Sequence, residues 1–191
     1  MKKLLLLLLI PFILTGCFGG DDSSTTGGFA NPNYNTYDNT AFTISYPKDW
    51  EVIDSKSFTS NVPAETLIDF RNNIKNEIFT ANTNISQSKL PLEITSADFG
   101  KSTLLKSKES LVGFNELSKE ELTIKYKDQD LTTFISGFEG KKSPSDPIVR
   151  FKQLYVAYQG AGYVVTSAYL PTEDEGVVKM LDVMLHSFSL N

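Results

Sequence analysis

The chain has almost none of the residues that most often carry protein chemistry: one cysteine, one histidine and one tryptophan in 191 residues. With Cys17 alone no internal disulfide can form. A zinc site, which draws on clusters of cysteine, histidine and carboxylate, has too few ligands to assemble. Nucleophilic catalysis through a Ser-His pair would have only His186 to use. That residue falls about 180° around its helical segment from Val177, away from the apolar stripe, where a solvated surface histidine belongs. Basic charge is scarce too. Lysine plus arginine number 18 against 23 aspartate plus glutamate, and no dense basic cluster offsets this, so nucleic acid is excluded as a partner and anionic lipid surfaces repel the chain. No glycine-rich phosphate loop follows a strand pattern. No apolar run reaches the ~20 residues of a membrane-spanning helix.

The apolar run that is present stands at the start. Lys2 and Lys3 precede Leu4 to Leu14, and the run ends in Leu14-Thr15-Gly16-Cys17. About eleven apolar residues rise only ~16 Å as a helix, half the ~30 Å of a hydrocarbon core. A charged start, a short apolar stretch and a small-residue end are the anatomy of an export signal. The last four residues resemble the lipobox of bacterial lipoproteins. That resemblance implies cleavage between Gly16 and Cys17, a diacylglyceryl group on the Cys17 thiol, and a membrane partner held through that anchor. Residues 1–16 are then a signal peptide, and the loss of Lys2 and Lys3 takes the formal net charge from −5 to −7. Phe18, not aspartate, follows the lipobox cysteine, which in a two-membrane envelope implies the outer membrane. Residues 17–35 are rich in Gly, Ser, Thr, Asn and Asp and lack any apolar period, as expected of a flexible linker spanning ~24 Å.

Residues 36–191 carry the patterns of a folded domain. Thr36–Thr40 reads as a turn into a strand, Ala41–Tyr46, in which Phe42, Ile44 and Tyr46 alternate with polar residues. Trp50, beside a strand end, fits a core corner better than a stacking platform. Strands are expected at Leu67–Phe70 and Ile78–Ile85. A capping box at Thr95 opens a helix whose apolar face is Ala97, Leu104, Leu105, Leu111 and Val112, weakened by Gly100 and stopped by Gly113. Strands return at Glu121–Tyr126, Leu131–Phe138, Val149–Tyr158 and Tyr163–Tyr169, joined by hairpins. Several are apolar on both sides and therefore need cover on both faces. The last helix begins with the capping box Thr172-Glu173-Asp174-Glu175 and buries Val177, Leu181, Met184, Leu185 and Phe188.

Other constellations dissolve on inspection. Asp128, Asp130 and Glu139 match positions 1, 3 and 12 of a calcium loop, but Thr133 replaces its glycine and the spacing belongs to a hairpin. Glu173, Asp174 and Glu175 are explained by helix capping and dipole. A Ser-Lys dyad has no local motif to support it.

Two segments resemble PsbP-like domains: Phe42-Thr43-Ile44-Ser45-Tyr46-Pro47-Lys48-Asp49-Trp50-Glu51-Val52 near the start, and Tyr163-Val164-Val165-Thr166 through the last helix to His186-Ser187-Phe188. The resemblance extends in layout over about Tyr37 to Leu190. It implies an α+β fold, an antiparallel sheet with helices on both faces, in a family whose members serve binding or assembly, not catalysis. The expectation is a lipid-anchored, extracytoplasmic, non-enzymatic module on a bacterial membrane, with an envelope protein as partner and no cofactor, metal or catalytic residue. The alternative is an envelope small-molecule-binding protein or hydrolase with an unrecognised site. Tyr34, Tyr37, Tyr155, Tyr158 and Tyr169 are candidates for a partner surface, although core packing is the commoner fate of strand tyrosines.

Overall fold

The computed structural model describes residues 33–58, 62–127 and 129–191. The signal peptide, its cleavage site at Gly16 and Cys17, and the linker up to residue 32 lie outside the described residues, as does Asp128. Ten strands and two helices follow in the order β1 (Tyr34–Asp38), β2 (Phe42–Pro47), β3 (Glu51–Asp54), β4 (Thr66–Arg71), β5 (Asn82–Lys89), α1 (Ser96–Ser110), β6 (Val112–Tyr126), β7 (Gln129–Lys141), β8 (Val149–Tyr158), β9 (Ala161–Tyr169), α2 (Glu175–His186) and β10 (Ser189–Leu190). They build two sheets, not one: a three-stranded sheet β1-β2-β10 and a seven-stranded sheet β3-β4-β5-β9-β8-β7-β6. Every pairing among the described residues is antiparallel. No helix among them is long and apolar enough to cross a membrane.

Alternation along the central strands creates two cores. Leu154 and Val156 of β8, with Tyr163 and Val165 of β9, join Phe42 and Ile44 of β2 and Leu181, Met184 and Leu185 of α2 in the larger cluster. Their neighbours in sequence, Tyr155, Ala157 and Val164, point the other way and meet Phe134 of β7 and Phe99 of α1 in a smaller one. The three α2 side chains are fully buried, each contributing ~1.5–3 kcal/mol by leaving water. Trp50 is buried in the larger core, the corner position expected of it.

Beyond the second sheet, the chain departs from the sequence reading in five further places. Thr36–Thr40 is not a turn, because β1 takes up Tyr34–Asp38 and pairs with β2 from Tyr34↔Pro47 to Asp38↔Thr43. The strand expected from Ile78 begins only at Asn82, since Asn76 accepts the backbone N–H groups of Ile78 (2.8 Å) and Phe79 (3.4 Å) and curls that stretch. In α1 the Thr95 cap holds, with Asp98 N–H donating to Thr95 Oγ1 at 3.1 Å, but the buried face is Ser96, Phe99 and Gly100 and not Leu105, which is exposed. β6 starts at Val112, well before Glu121, and Gly113 (φ +67°) lies in it at a register shift instead of stopping a helix. Finally, α2 is capped by Asp174, not Thr172.

The hairpin between β8 and β9 forms as expected, with a turn two residues shorter than the gap between the expected strands, because Ala161 and Gly162 belong to β9. Gln159 (φ +48°) and Gly160 (φ +79°) form the two-residue turn between β8 and β9, the pair of positive φ values that matches strand twist.

Candidate functional site

Two clefts bring polar side chains together among the described residues. The first lies where α2 crosses β6, β7 and β8, and has a volume of about 130 Å³, lined by Ser118, Glu120, Ile135, Lys152, Asp182 and His186. Asp182 and His186 are one helical turn apart on α2, so they share a face. His186 Nδ1 sits 2.8 Å from the Asp182 carbonyl oxygen and Nε2 sits 3.0 Å from Glu120 Oε1. Lys152 Nζ donates to Asp182 Oδ1 at 2.5 Å. Burial pulls the His186 pKa down, but the hydrogen bond to Glu120, the bond to the Asp182 carbonyl and the nearby carboxylate charges outweigh it, and the net shift is upward. Both ring nitrogens face acceptors, so the imidazolium fits as a double donor and keeps no free lone pair for base catalysis. The group is a clasp between helix and sheet. His186 is therefore exposed as the sequence implied, yet tied to β6, 66 residues away in the chain.

The second cleft is at one end of the large sheet, beside the turns between β6 and β7 and between β8 and β9. It has a volume of about 200 Å³ and is lined chiefly by Tyr126, Tyr158, Gln159, Tyr163, Leu190 and Asn191. The Tyr126 and Tyr158 rings lie 4.5 Å apart at 59°. Gln159 Nε2 donates to the Tyr158 hydroxyl at 3.1 Å and Gln87 Nε2 to the Tyr163 hydroxyl at 3.0 Å. Lys127 Nζ stands 5.0 Å over the Tyr126 ring, within cation–π range. Burial raises the Tyr163 pKa, so the phenol stays neutral and available as a donor. Aromatic walls with amide and hydroxyl groups at the rim suit a ligand having one apolar face and a polar edge.

Of the five tyrosines proposed as a partner surface, only Tyr158 reaches this cleft. Tyr155 and Tyr169 are buried, and Tyr37 packs on Phe42 and Phe70 at 5.9 and 5.8 Å. Tyr126 and Tyr163 escaped the sequence reading. Their signal was positional, since each lies beside a hairpin turn and the two turns share a sheet end. Among the described residues, no group of His, Cys, Asp and Glu is arranged to hold a metal ion.

Comparison with solved structures shows that the chain has a PsbP-like fold. Over 88% of its length it superposes on 99% of the cyanobacterial PsbP (CyanoP) of Synechocystis sp. PCC 6803, with a TM-score of 0.58 and 14% identity. It is also similar to LpqN of Mycobacterium tuberculosis, a protein involved in cell envelope biogenesis, with a TM-score of 0.51 and 13% identity over 83% of this chain and 90% of that one. No protein-family model matches the sequence, and no curated protein sequence matches it.

Proposed function

We propose that this chain is a lipid-anchored, extracytoplasmic binding or assembly module of a bacterial envelope, held to the membrane through Cys17. The observation that carries the reading is a lipobox, Leu14-Thr15-Gly16-Cys17, placed a short stretch ahead of a PsbP-like fold. Two acyl chains anchor stably where one is marginal, so the folded part is free to serve recognition. The α1 and α2 contacts with opposite residues of β8 and β9 support reading the domain as an α/β/α sandwich. LpqN, of similar fold, is involved in cell envelope biogenesis, and that supports an envelope role here. A non-enzymatic role is favoured because the one histidine is engaged at both ring nitrogens. Neither of the two clefts, at about 130 and 200 Å³, reaches the ~300–1,000 Å³ of small-molecule sites, so neither supports the carrier or hydrolase reading.

Mass spectrometry of the full-length protein produced in a bacterial host tests the anchor. The mature chain is expected to start at a diacylated Cys17, and Cys17→Ser to yield an unlipidated chain released from membranes. A bare thiol or a retained leader would overturn the anchor. Co-purification from detergent-solubilised membranes tests the binding role, and failure to enrich any envelope protein over a control carrying residues 17–35 alone would count against it.

A further inference from the structure

Leu92, on the connection after β5, is the most exposed large apolar side chain among the described residues at 79%, and the connection between β4 and β5 presents the next two, Ile74 at 75% and Ile78 at 68%, as a pair. Its backbone is firmly tied. Ile74 N–H donates to Asn72 Oδ1 at 3.0 Å, Ile78 N–H to Asn76 Oδ1 at 2.8 Å, and the Asn82 side-chain amide to the Thr80 carbonyl at 3.0 Å. Asn72 N–H closes the base on the Ala81 carbonyl at 2.9 Å, and both residues are buried. The two isoleucines are thus held out on a preformed frame, and little ordering remains to be done when they are covered. The tip has one cation, Lys75, and one anion, Glu77, so charge contributes no net attraction.

The loop lies at the same end of the domain as the entering chain. Lys48 N–H donates to the Asn33 carbonyl at 3.1 Å, and Tyr34 pairs with Pro47. Trp50 N–H then donates to the Pro47 carbonyl at 3.1 Å. Glu51 pairs with Arg71, and Arg71 with Asn82. These steps place the loop at the end of the domain where the chain enters. The tyrosine-lined cleft, with Ala41 and Asn191 in its wall, is at the other end. Cys17 precedes Tyr34 by only seventeen positions, a reach of at most ~60 Å.

We infer that the loop between Asn72 and Ala81 is a membrane-docking tip, whose Ile74 and Ile78 enter the headgroup–acyl boundary of the bilayer that holds the Cys17 lipid. This rests on the lipid-anchor reading. Docking points the tyrosine-lined cleft away from the membrane, toward soluble or opposing partners. Because the tip is electroneutral and the chain is acidic overall, with a net charge of −7 once residues 1–16 are removed, the contact is apolar. It needs no anionic lipid and persists at high salt.

The test uses the full-length lipidated protein in phosphatidylcholine vesicles. Ile78→Cys is labelled with an environment-sensitive fluorophore, the Cys17 thiol being occupied by its lipid, and Asp130→Cys at the opposite end is the control. Lipids carrying a nitroxide quencher are expected to quench position 78 several-fold more than position 130. The difference should survive ~1 M salt, where screening lengths fall to ~3 Å, and should shrink when Ile74→Ser is added, with vesicle sedimentation unchanged. Equal quenching at both positions in a sedimenting chain overturns the docking tip and leaves the anchor standing. Concentration-dependent dimerisation through the loop, without quenching, assigns it to a second copy and also overturns the inference. A chain that carries no lipid and does not sediment overturns the anchor and the docking tip with it.

Discussion

Glu120 on the edge strand β6 and His186 on the last turn of α2 meet with Oε1 and Nε2 3.0 Å apart. The folded pKa of the histidine lies above its ordinary 6.5. The contact therefore stabilises the fold fully below pH 6.5 and is lost as pH rises through the higher folded value. Glu120, Asp182 and Lys152 are the titratable groups that line the cleft with it. Since both partners are about half exposed, the effect is small, ~0.5 kcal/mol. A double-mutant cycle of Glu120→Gln and His186→Gln, measured by denaturant unfolding, should show coupling in mild acid that vanishes in mild alkali. Coupling that grows with pH would contradict this geometry.

Gly100 gives a second prediction. A methyl group there would stand 2.7 Å from Phe134 Cζ and 2.8 Å from Tyr155 Cδ2, and both rings belong to the packed smaller core. Alanine gains ~1 kcal/mol of helix propensity over glycine, but overpacking costs ~1–3 kcal/mol. Gly100→Ala is expected to lower stability by about 1 kcal/mol, visible as a lower denaturation midpoint. The same exchange at an exposed helical site would raise it.

Thr83 and Ser167 pair across β5 and β9 with hydroxyl oxygens 2.8 Å apart, both side chains fully buried. Thr83→Val leaves the serine hydroxyl without its partner, at a cost of ~1–3 kcal/mol. Adding Ser167→Ala removes that orphan, so the double variant should be more stable than Thr83→Val alone. Additive losses in unfolding measurements would show that the pair does not act as a unit.

Asp174 accepts the Gly176 N–H at 2.8 Å and caps α2. Asp174→Ala should cost ~1 kcal/mol, whereas Thr172→Ala should be nearly silent in thermal unfolding. The reverse ranking would restore the cap that the sequence suggested.

These two caps show how far the sequence could be read. Thr95 and Asp174 both lie in patterns that invite a cap, but in Thr172-Glu173-Asp174-Glu175 two residues qualify and only the backbone decides between them. The stripe of Leu181, Met184 and Leu185 was plain because one helix face packs on one sheet face. The face of α1 was misread for the opposite reason. It is buried through Phe99 flanked by Ser96 and Gly100, two small residues that carry no hydropathy signal but allow the aromatic rings of the sheet to approach, so one large apolar residue stands alone without a stripe. β1 was missed because Tyr34–Asp38 is mostly polar and exposed, with no inward apolar row, and is recruited by pairing with β2. The tyrosine-lined cleft depends on strand register, which brings Tyr126 beside Tyr158 although 32 positions separate them. No local pattern encodes that.

The outer seam of the large sheet has a further consequence. β6 is 15 residues long and ends the strand order, a length of open ladder that invites stacking into fibrils. Its register shifts twice, between Val112 and Asn115 and between Glu116 and Ser118, and Lys119, Glu120 and Glu121 are exposed along it. Crooked and charged, the strand offers a newcomer no long flat template. Copies of this chain can therefore crowd together and stay individuals.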